Sequence, residues 1–216
     1  MDLVIYDLDG TLIDSKTDLA HSVNATLHEF GRQPLAYDVI ASYVGNGAPV
    51  LVRRALGPDA TEAEADAALR FFLDYYREHK VDCTDLYPGV REVLDRLRDA
   101  GVTQAVLTNK PVRISGEILD ALGVSGYFTR VYGGNSFEQK KPHPVGIETL
   151  IAECGVARDR VMMVGDSSVD IRTARNAGVQ SCGVTYGFQP ETLADEPPDL
   201  LVEEIGELGE WVLARR

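Results

Sequence analysis

Two carboxylates stand two residues apart in Asp7-Leu8-Asp9-Gly10-Thr11-Leu12, directly after the apolar run Leu3-Val4-Ile5-Tyr6. At the carboxyl end of a strand such a pair faces one crevice, and Gly10 lets the chain turn away. Neighbouring carboxylates repel, so either a divalent cation lies between them or one keeps its proton and serves as a general acid. A turn that merely closes a strand uses the same residues, so the segment means chemistry only if partners converge on it. Thr108-Asn109 follows Ala105-Val106-Leu107, and Gly165-Asp166 follows Val161-Met162-Met163-Val164, with Asp170 one helical turn further on. The carboxyl ends of neighbouring parallel strands meet, which predicts one crevice for Asp7, Asp9, Thr108, Asp166 and Asp170. Asp166 and Ser167 taken singly would pass as helix caps. A crevice of acids binds phosphate only with a local cation. The loop Lys140-Lys141-Pro142-His143-Pro144 offers one, its prolines stiffening the chain around Lys141.

The elements that must carry these residues are legible as short runs rich in Val, Ile and Leu at 3–6, 104–107, 130–132, 161–164, 181–184 and 200–202. Unbroken apolar runs of this length suit strands covered on both faces, as in a parallel sheet. Between them lie helical faces: Val90, Val93, Leu94 and Leu97; Ile114, Ile118, Leu119 and Leu122; Ile171, Ala174 and Ala177, the last ending at Gly178. Strand and helix alternating in this way predict an α/β fold with a doubly wound, Rossmann-like parallel sheet. Residues 15–82 break the rhythm. They hold no convincing strand, but place Leu19, Val23, Leu27 and Phe30 on one helical face and Leu69, Phe72, Tyr75 and Tyr76 on another, with Thr61 and Glu64 spaced as a capping box. We therefore expect a core domain from 1–14 and 83–216, with a helical cap domain, 15–82, seated over the carboxyl end of the sheet.

Bulk properties narrow the function classes. The chain has 34 acidic against 21 basic residues, a formal net charge of −13, which disfavours nucleic acid or an anionic membrane as partner. Its three cysteines have no close spacing, so neither a C-x-x-C site nor a disulfide framework is expected. No apolar stretch approaches the ~20 residues of a membrane span and no basic leader is apparent, so a cytoplasmic protein is expected.

Asp7 to Leu12, Thr108-Asn109, Lys141-Pro142 and Gly165-Asp166-Ser167 through Asp170-Ile171 together resemble the motif set of the haloacid dehalogenase superfamily, in the same order along the chain. Within it, Val44-Gly45-Asn46-Gly47 with Leu51 and Arg53-Arg54-Ala55-Leu56 resembles the cap segment of bacterial phosphoglycolate phosphatases. Gly133-Gly134-Asn135-Ser136 and Thr185-Tyr186-Gly187 point the same way. Tyr6 and Lys16-Thr17 depart from that pattern, where apolar or small residues are usual. The resemblance implies a magnesium-dependent phosphatase acting on a small phosphorylated metabolite, with 2-phosphoglycolate as first candidate. It implies Asp7 as nucleophile and Asp9 as general acid and base. It further implies a magnesium ion on Asp7, Asp166 and the main-chain carbonyl of Asp9, with Asp170 orienting the metal's shell, and Thr108 and Lys141 on the phosphoryl oxygens. Asn109, Asn46 and Arg53 complete the expected substrate contacts. A phosphosugar phosphatase or β-phosphoglucomutase-like mutase would keep every catalytic residue, and a phosphoryl-receiving signalling module is the alternative of another class. A monomer and a homodimer fit equally well.

Overall fold

A computed structural model describes residues 1–215. Its centre is β1 (Leu3–Tyr6), whose four side chains are all fully buried. Parallel strands flank it: β4 (Thr103–Leu107) on one side and β6 (Val161–Gly165) on the other, with Tyr6 in register with Val106 and Val164. The sheet extends through β5 (Arg130–Tyr132), β7 (Gln180–Val184) and β8 (Leu200–Val202), in the order β5-β4-β1-β6-β7-β8. Strands β4, β6 and β7 each run one residue beyond the apolar stretch that marks them in the sequence.

Period-two alternation divides the core into two faces. Leu3 and Ile5 pack with Ile147 and Leu150 of α7 (Val145–Cys154) and Ala174 and Ala177 of α8 (Ser168–Ala177). Val4 and Tyr6 pack on the opposite face, with Leu94 and Leu97 of α5 (Val90–Asp99), Ile118 and Leu119 of α6 (Val112–Ala121), and Leu208 of α9 (Ile205–Leu213). Helices on both faces of a parallel sheet are the doubly wound arrangement the sequence predicts. The unusual Tyr6 is accommodated by hydrogen bonding: its hydroxyl donates to Gln104 Oε1 at 3.1 Å, and Gln104 Nε2 donates to the Leu94 carbonyl at 3.0 Å. A buried phenol without such a chain would cost about 1–3 kcal/mol.

Four helices interrupt the α/β rhythm: α1 (Lys16–Glu29), α2 (Tyr37–Ala41), α3 (Ala48–Leu56) and α4 (Glu62–His79). The faces anticipated on α1 and α4 meet, with Leu19, Val23 and Leu27 in one cluster with Phe72 and Tyr76. The capping box at Thr61 is half formed. Thr61 Oγ1 accepts from the Glu64 amide at 3.2 Å, but the Glu64 carboxylate accepts instead from Arg32 at 2.8 Å, because an arginine from another element competes successfully for it.

The chain leaves and re-enters the sheet domain through an antiparallel ribbon that sequence periodicity does not reveal, β2 (Ile13–Asp14) with β3 (Asp85–Leu86). Two-residue strands carry no periodicity to read. Asp18, buried at the start of α1, accepts from the amides of Cys83 and Thr84 at 3.0 and 2.8 Å and from Thr84 Oγ1 at 2.7 Å. One carboxylate thus ties the start of α1 to the chain that returns into β3. No helix among the described residues is long and apolar enough to cross a membrane.

Candidate active site

Asp7 and Asp166 directly follow the adjacent strands β1 and β6, and Thr108 follows β4. Asp170 stands one turn into α8, where its carboxylate accepts from the amide and hydroxyl of Ser167 at 3.2 and 2.7 Å. One oxygen each from Asp7, Asp166 and Asp170 lies within 4.8 Å of the others, and all three residues are buried. Lys141 reaches into this group from the loop after β5. Its Nζ stands 2.9 Å from Asp7 Oδ1 and 2.6 Å from Asp170 Oδ1.

Three buried carboxylates stand together with one ammonium, which pairs with Asp7 and Asp170, and the proton affinities of Asp7 and Asp166 record the surplus negative charge. Burial pushes the Asp7 carboxyl up to about 6, with Lys141 opposing and Asp170 adding to the rise. Burial, then Asp170 and Asp7, raise Asp166 well above the usual carboxylate range. Burial works against the Lys141 charge, but Asp170 and Asp7 more than offset it, leaving that lysine above its ordinary value. Asp7 Oδ1 is buried without a hydrogen bond; the Lys141 ammonium is near enough to pair with it but not aligned to donate. An all-oxygen donor set with excess negative charge and an orphaned carboxylate oxygen fits a hard divalent cation such as magnesium.

Glycines let the backbone close around these acids. Gly10 has φ +80°, and a Cβ there would overlap Asp166 Oδ2. A Cβ on Gly187 would overlap both Asp166 and the Gly10 carbonyl, while the Phe188 and Gln189 amides donate to Asp166 Oδ2 at 2.6 and 3.2 Å. At Gly134 a Cβ would overlap the Asn109 carbonyl, so the loop after β5 rides directly on the turn after β4.

Asp9 faces a different set of partners. Its Oδ1 accepts from Ser15 Oγ at 2.5 Å, and Lys110 Nζ donates to Oδ1 and Oδ2 at 2.9 and 3.1 Å. The same ammonium donates to the Tyr76 hydroxyl at 2.7 Å and lies 4.5 Å from that ring's centroid. The Asp9 carboxylate therefore stands outside the acid cluster. Lys110, Ser15 and Tyr76 are functional candidates that sequence reasoning passes over. Lys110 directly follows Thr108-Asn109 beyond a strand end, and that position was the available signal.

The expected substrate contacts divide. Thr108 lines the cavity between the sheet and the helical block, with Asp7, Asp9, Lys110 and Asp166. The Asn109 side chain is spent on backbone: Nδ2 donates to the Gly45 and Lys141 carbonyls at 2.8 and 3.1 Å, and Oδ1 accepts from the Lys141 amide at 3.0 Å. It positions the lysine loop rather than offering free donors. Gly45 and Gly47 line the cavity while Asn46 between them does not. Arg53 lies apart, paired with Glu62 at 3.1 Å and lining a surface groove with Tyr43, Arg54, Gly57 and Pro58. On α3 it shares a turn with residues facing the cavity, but helical rotation turns it elsewhere.

With this geometry in view, comparison with known proteins decides the family. The family model for haloacid dehalogenase-like hydrolases matches residues 4–184. The chain belongs to that family. The phosphoglycolate phosphatase of Pseudomonas putida is 43% identical over 209 residues, spanning 94% of this chain and 76% of the relative. That of Vibrio parahaemolyticus is 39% identical, spanning 97% of this chain and 95% of the relative. The crystal structure of a predicted phosphoglycolate phosphatase from Haemophilus somnus matches with a TM-score of 0.93 at 34% identity, over 98% of this chain and 97% of that one. This member of the haloacid dehalogenase-like hydrolases is a phosphoric monoester hydrolase.

Proposed function

We propose that the enzyme hydrolyses a small phosphorylated metabolite, 2-phosphoglycolate first, to the alcohol and inorganic phosphate, with Asp7 as nucleophile. The observation that carries this reading is the buried corner in which Lys141 pairs with both Asp7 and Asp170 beside Asp166. A carboxylate oxygen of Asp7 attacks phosphorus, the ester P–O bond breaks, and the leaving oxygen takes a proton from Asp9. Water then attacks the aspartyl phosphate, gives its proton to Asp9, and releases phosphate with Asp7 restored. Thr108 Oγ1 accepts from the Lys110 amide at 3.3 Å, leaving its own proton available for a phosphoryl oxygen. Lys141 holds Asp7 in place and balances phosphoryl charge.

Asp7, Asp166 and the main-chain carbonyl of Asp9 would hold a magnesium ion, with Asp170 supporting its outer shell. When bound it would supply charge neutralisation for the phosphoryl group. The helical block, 15–82, is proposed to act as a cap domain that excludes water over the 1–14 and 83–216 core. The cavity under it is lined on the helical side by Leu51, Phe72 and Leu73 and on the sheet side by Asp7, Asp9 and Thr108. The named phosphoglycolate phosphatases among its relatives support 2-phosphoglycolate as the substrate. A cytoplasmic setting belongs to this reading.

The test is phosphate release from 2-phosphoglycolate against a panel of esters at equal concentration, before and after chelation. The expected result is the highest kcat/KM on 2-phosphoglycolate, lost on chelation and restored by magnesium. A clear preference for glucose 1-phosphate with isomerisation to the 6-phosphate would overturn the substrate. Full turnover after thorough chelation would remove the metal.

A further inference from the structure

Among the described residues lining the cavity, Lys110 is the one cationic side chain. Lys141 is committed to Asp7 and Asp170, while Leu51, Phe72 and Ile114 make much of the remaining wall apolar. Lys110 is held from two sides. Asp9 takes two of its donor contacts from the core, and Tyr76 takes the third from α4. Tyr76 is itself fixed by stacking on Phe72, with centroids 5.6 Å apart and planes 8° from parallel. Such a lysine, desolvated and aimed into a ligand cavity, is more than a surface counter-charge.

We propose that Lys110, backed by Tyr76, selects for a carboxylate on the carbon that bears the phosphate ester. The proposal rests on the phosphoglycolate reading with Asp9 as the group that meets the ester oxygen, and it deepens that reading by naming the residue that recognises the substrate's carboxylate. Lys110 touches both oxygens of Asp9, so it stands next to the site of the ester oxygen. A carboxylate carbon two bonds from that oxygen falls within the ammonium's reach. A sugar phosphate presents neutral hydroxyls there and leaves the buried charge to Asp9 alone. An incoming carboxylate also takes over the bonds Lys110 makes to Asp9, which releases the Asp9 oxygens toward the ester oxygen. Because Tyr76 belongs to the helical block, the contact is complete only when that block is seated on the core.

The experiment compares kcat/KM for 2-phosphoglycolate and for its neutral amide, glycolamide phosphate, in the magnesium-loaded enzyme and in Lys110→Met, Lys110→Arg and Tyr76→Phe. The wild type is expected to prefer the acid. Losing a charge-assisted contact of this kind lowers binding about 10- to 100-fold, so Lys110→Met should lower the acid-to-amide preference by that factor. Lys110→Arg should keep much of the preference, and Tyr76→Phe should lower it by a smaller factor. Thermal unfolding establishes which variants are folded, and the last two carry the test should Lys110→Met not fold. An equal fall on acid and amide, leaving the preference unchanged, would overturn the proposal and reduce Lys110 to a partner of Asp9. A wild type that does not prefer the acid at all is a separate outcome, visible before any variant, and overturns the phosphoglycolate reading itself.

Discussion

Around Asp7 every charged side chain comes from the sheet framework: Asp7 and Asp166 end adjacent strands, Asp170 caps a helix, and Lys141 rides on a loop pinned by Asn109. Around Asp9 the groups come from both sides of a seam. Lys110 belongs to the sheet domain and Tyr76 to α4. Gln189 bridges the same seam beside the other region: its main-chain amide donates to Asp166, and its Nε2 donates to the Ser42 and Val44 carbonyls at 2.9 and 2.8 Å. The first region is set by the sheet itself, because neighbouring paired strands fix where their ends lie. The second is complete only when the helical block is in place. Under the proposed mechanism the framework supplies the nucleophile and the acids for a metal, while the general acid Asp9 and the proposed carboxylate-selecting Lys110 meet at the seam.

The largest expected effect separates the two carboxylates. Asp7→Asn should lower phosphate release by roughly 10⁴-fold or more, as removal of a nucleophile does. A variant that keeps substantial turnover would move the nucleophile across to the Asp9 side. Lys141→Met comes next, with a loss of about 10²–10³ in kcat measured at saturating substrate. A change in KM alone would make Lys141 a binding group like those proposed at the seam.

The framework corner also predicts a pH dependence of stability. A carboxyl whose pKa rises on folding binds its proton preferentially in the folded state. For Asp7 this stabilisation is complete below the ordinary value of 3.8 and is lost as pH rises through about 6. Chelated enzyme should therefore lose up to about 3 kcal/mol of stability from this group between those limits. Chemical denaturation across that range, compared with Asp7→Asn, tests the contribution: the variant loses the Asp7 titration and relieves Asp166, which Asp7 raises. Identical profiles would show that the corner is not strained by its charges. The smallest effect belongs to the seam: Gln189→Ala should raise KM about fivefold, the equivalent of roughly 1 kcal/mol for lost hydrogen bonds. A fall in kcat with unchanged KM would show that these side-chain bonds across the seam serve the reacting groups rather than binding.

The legibility of each region follows from its construction. Asp7, Thr108, Asp166 and Asp170 could be read as a group because apolar runs mark strands, and parallel strands bring their carboxyl ends together whatever the loops do. The ribbon of β2 and β3 escaped, being too short for periodicity, and so did its pin, since Asp18 looks like any acid in a first helical turn. Arg53 shows the limit on a helix. Its neighbourhood in sequence points toward the cavity, but its rotation about α3 sends it to Glu62.

By itself the sequence determined the order of the strands' chemistry, the acids at Asp7 and Asp166, the lysine loop that answers them, and the helical character of residues 15–82. These depend on local pattern and on a general rule about parallel sheets. Only the tertiary structure decided that Asp9 turns to Ser15 and Lys110, that Asn109 is spent on backbone, and that Tyr76 reaches Lys110. Those contacts join residues up to 101 positions apart across two packed bodies. Which side chain wins a buried partner there is set by packing and desolvation, and neither leaves a periodic mark in the chain.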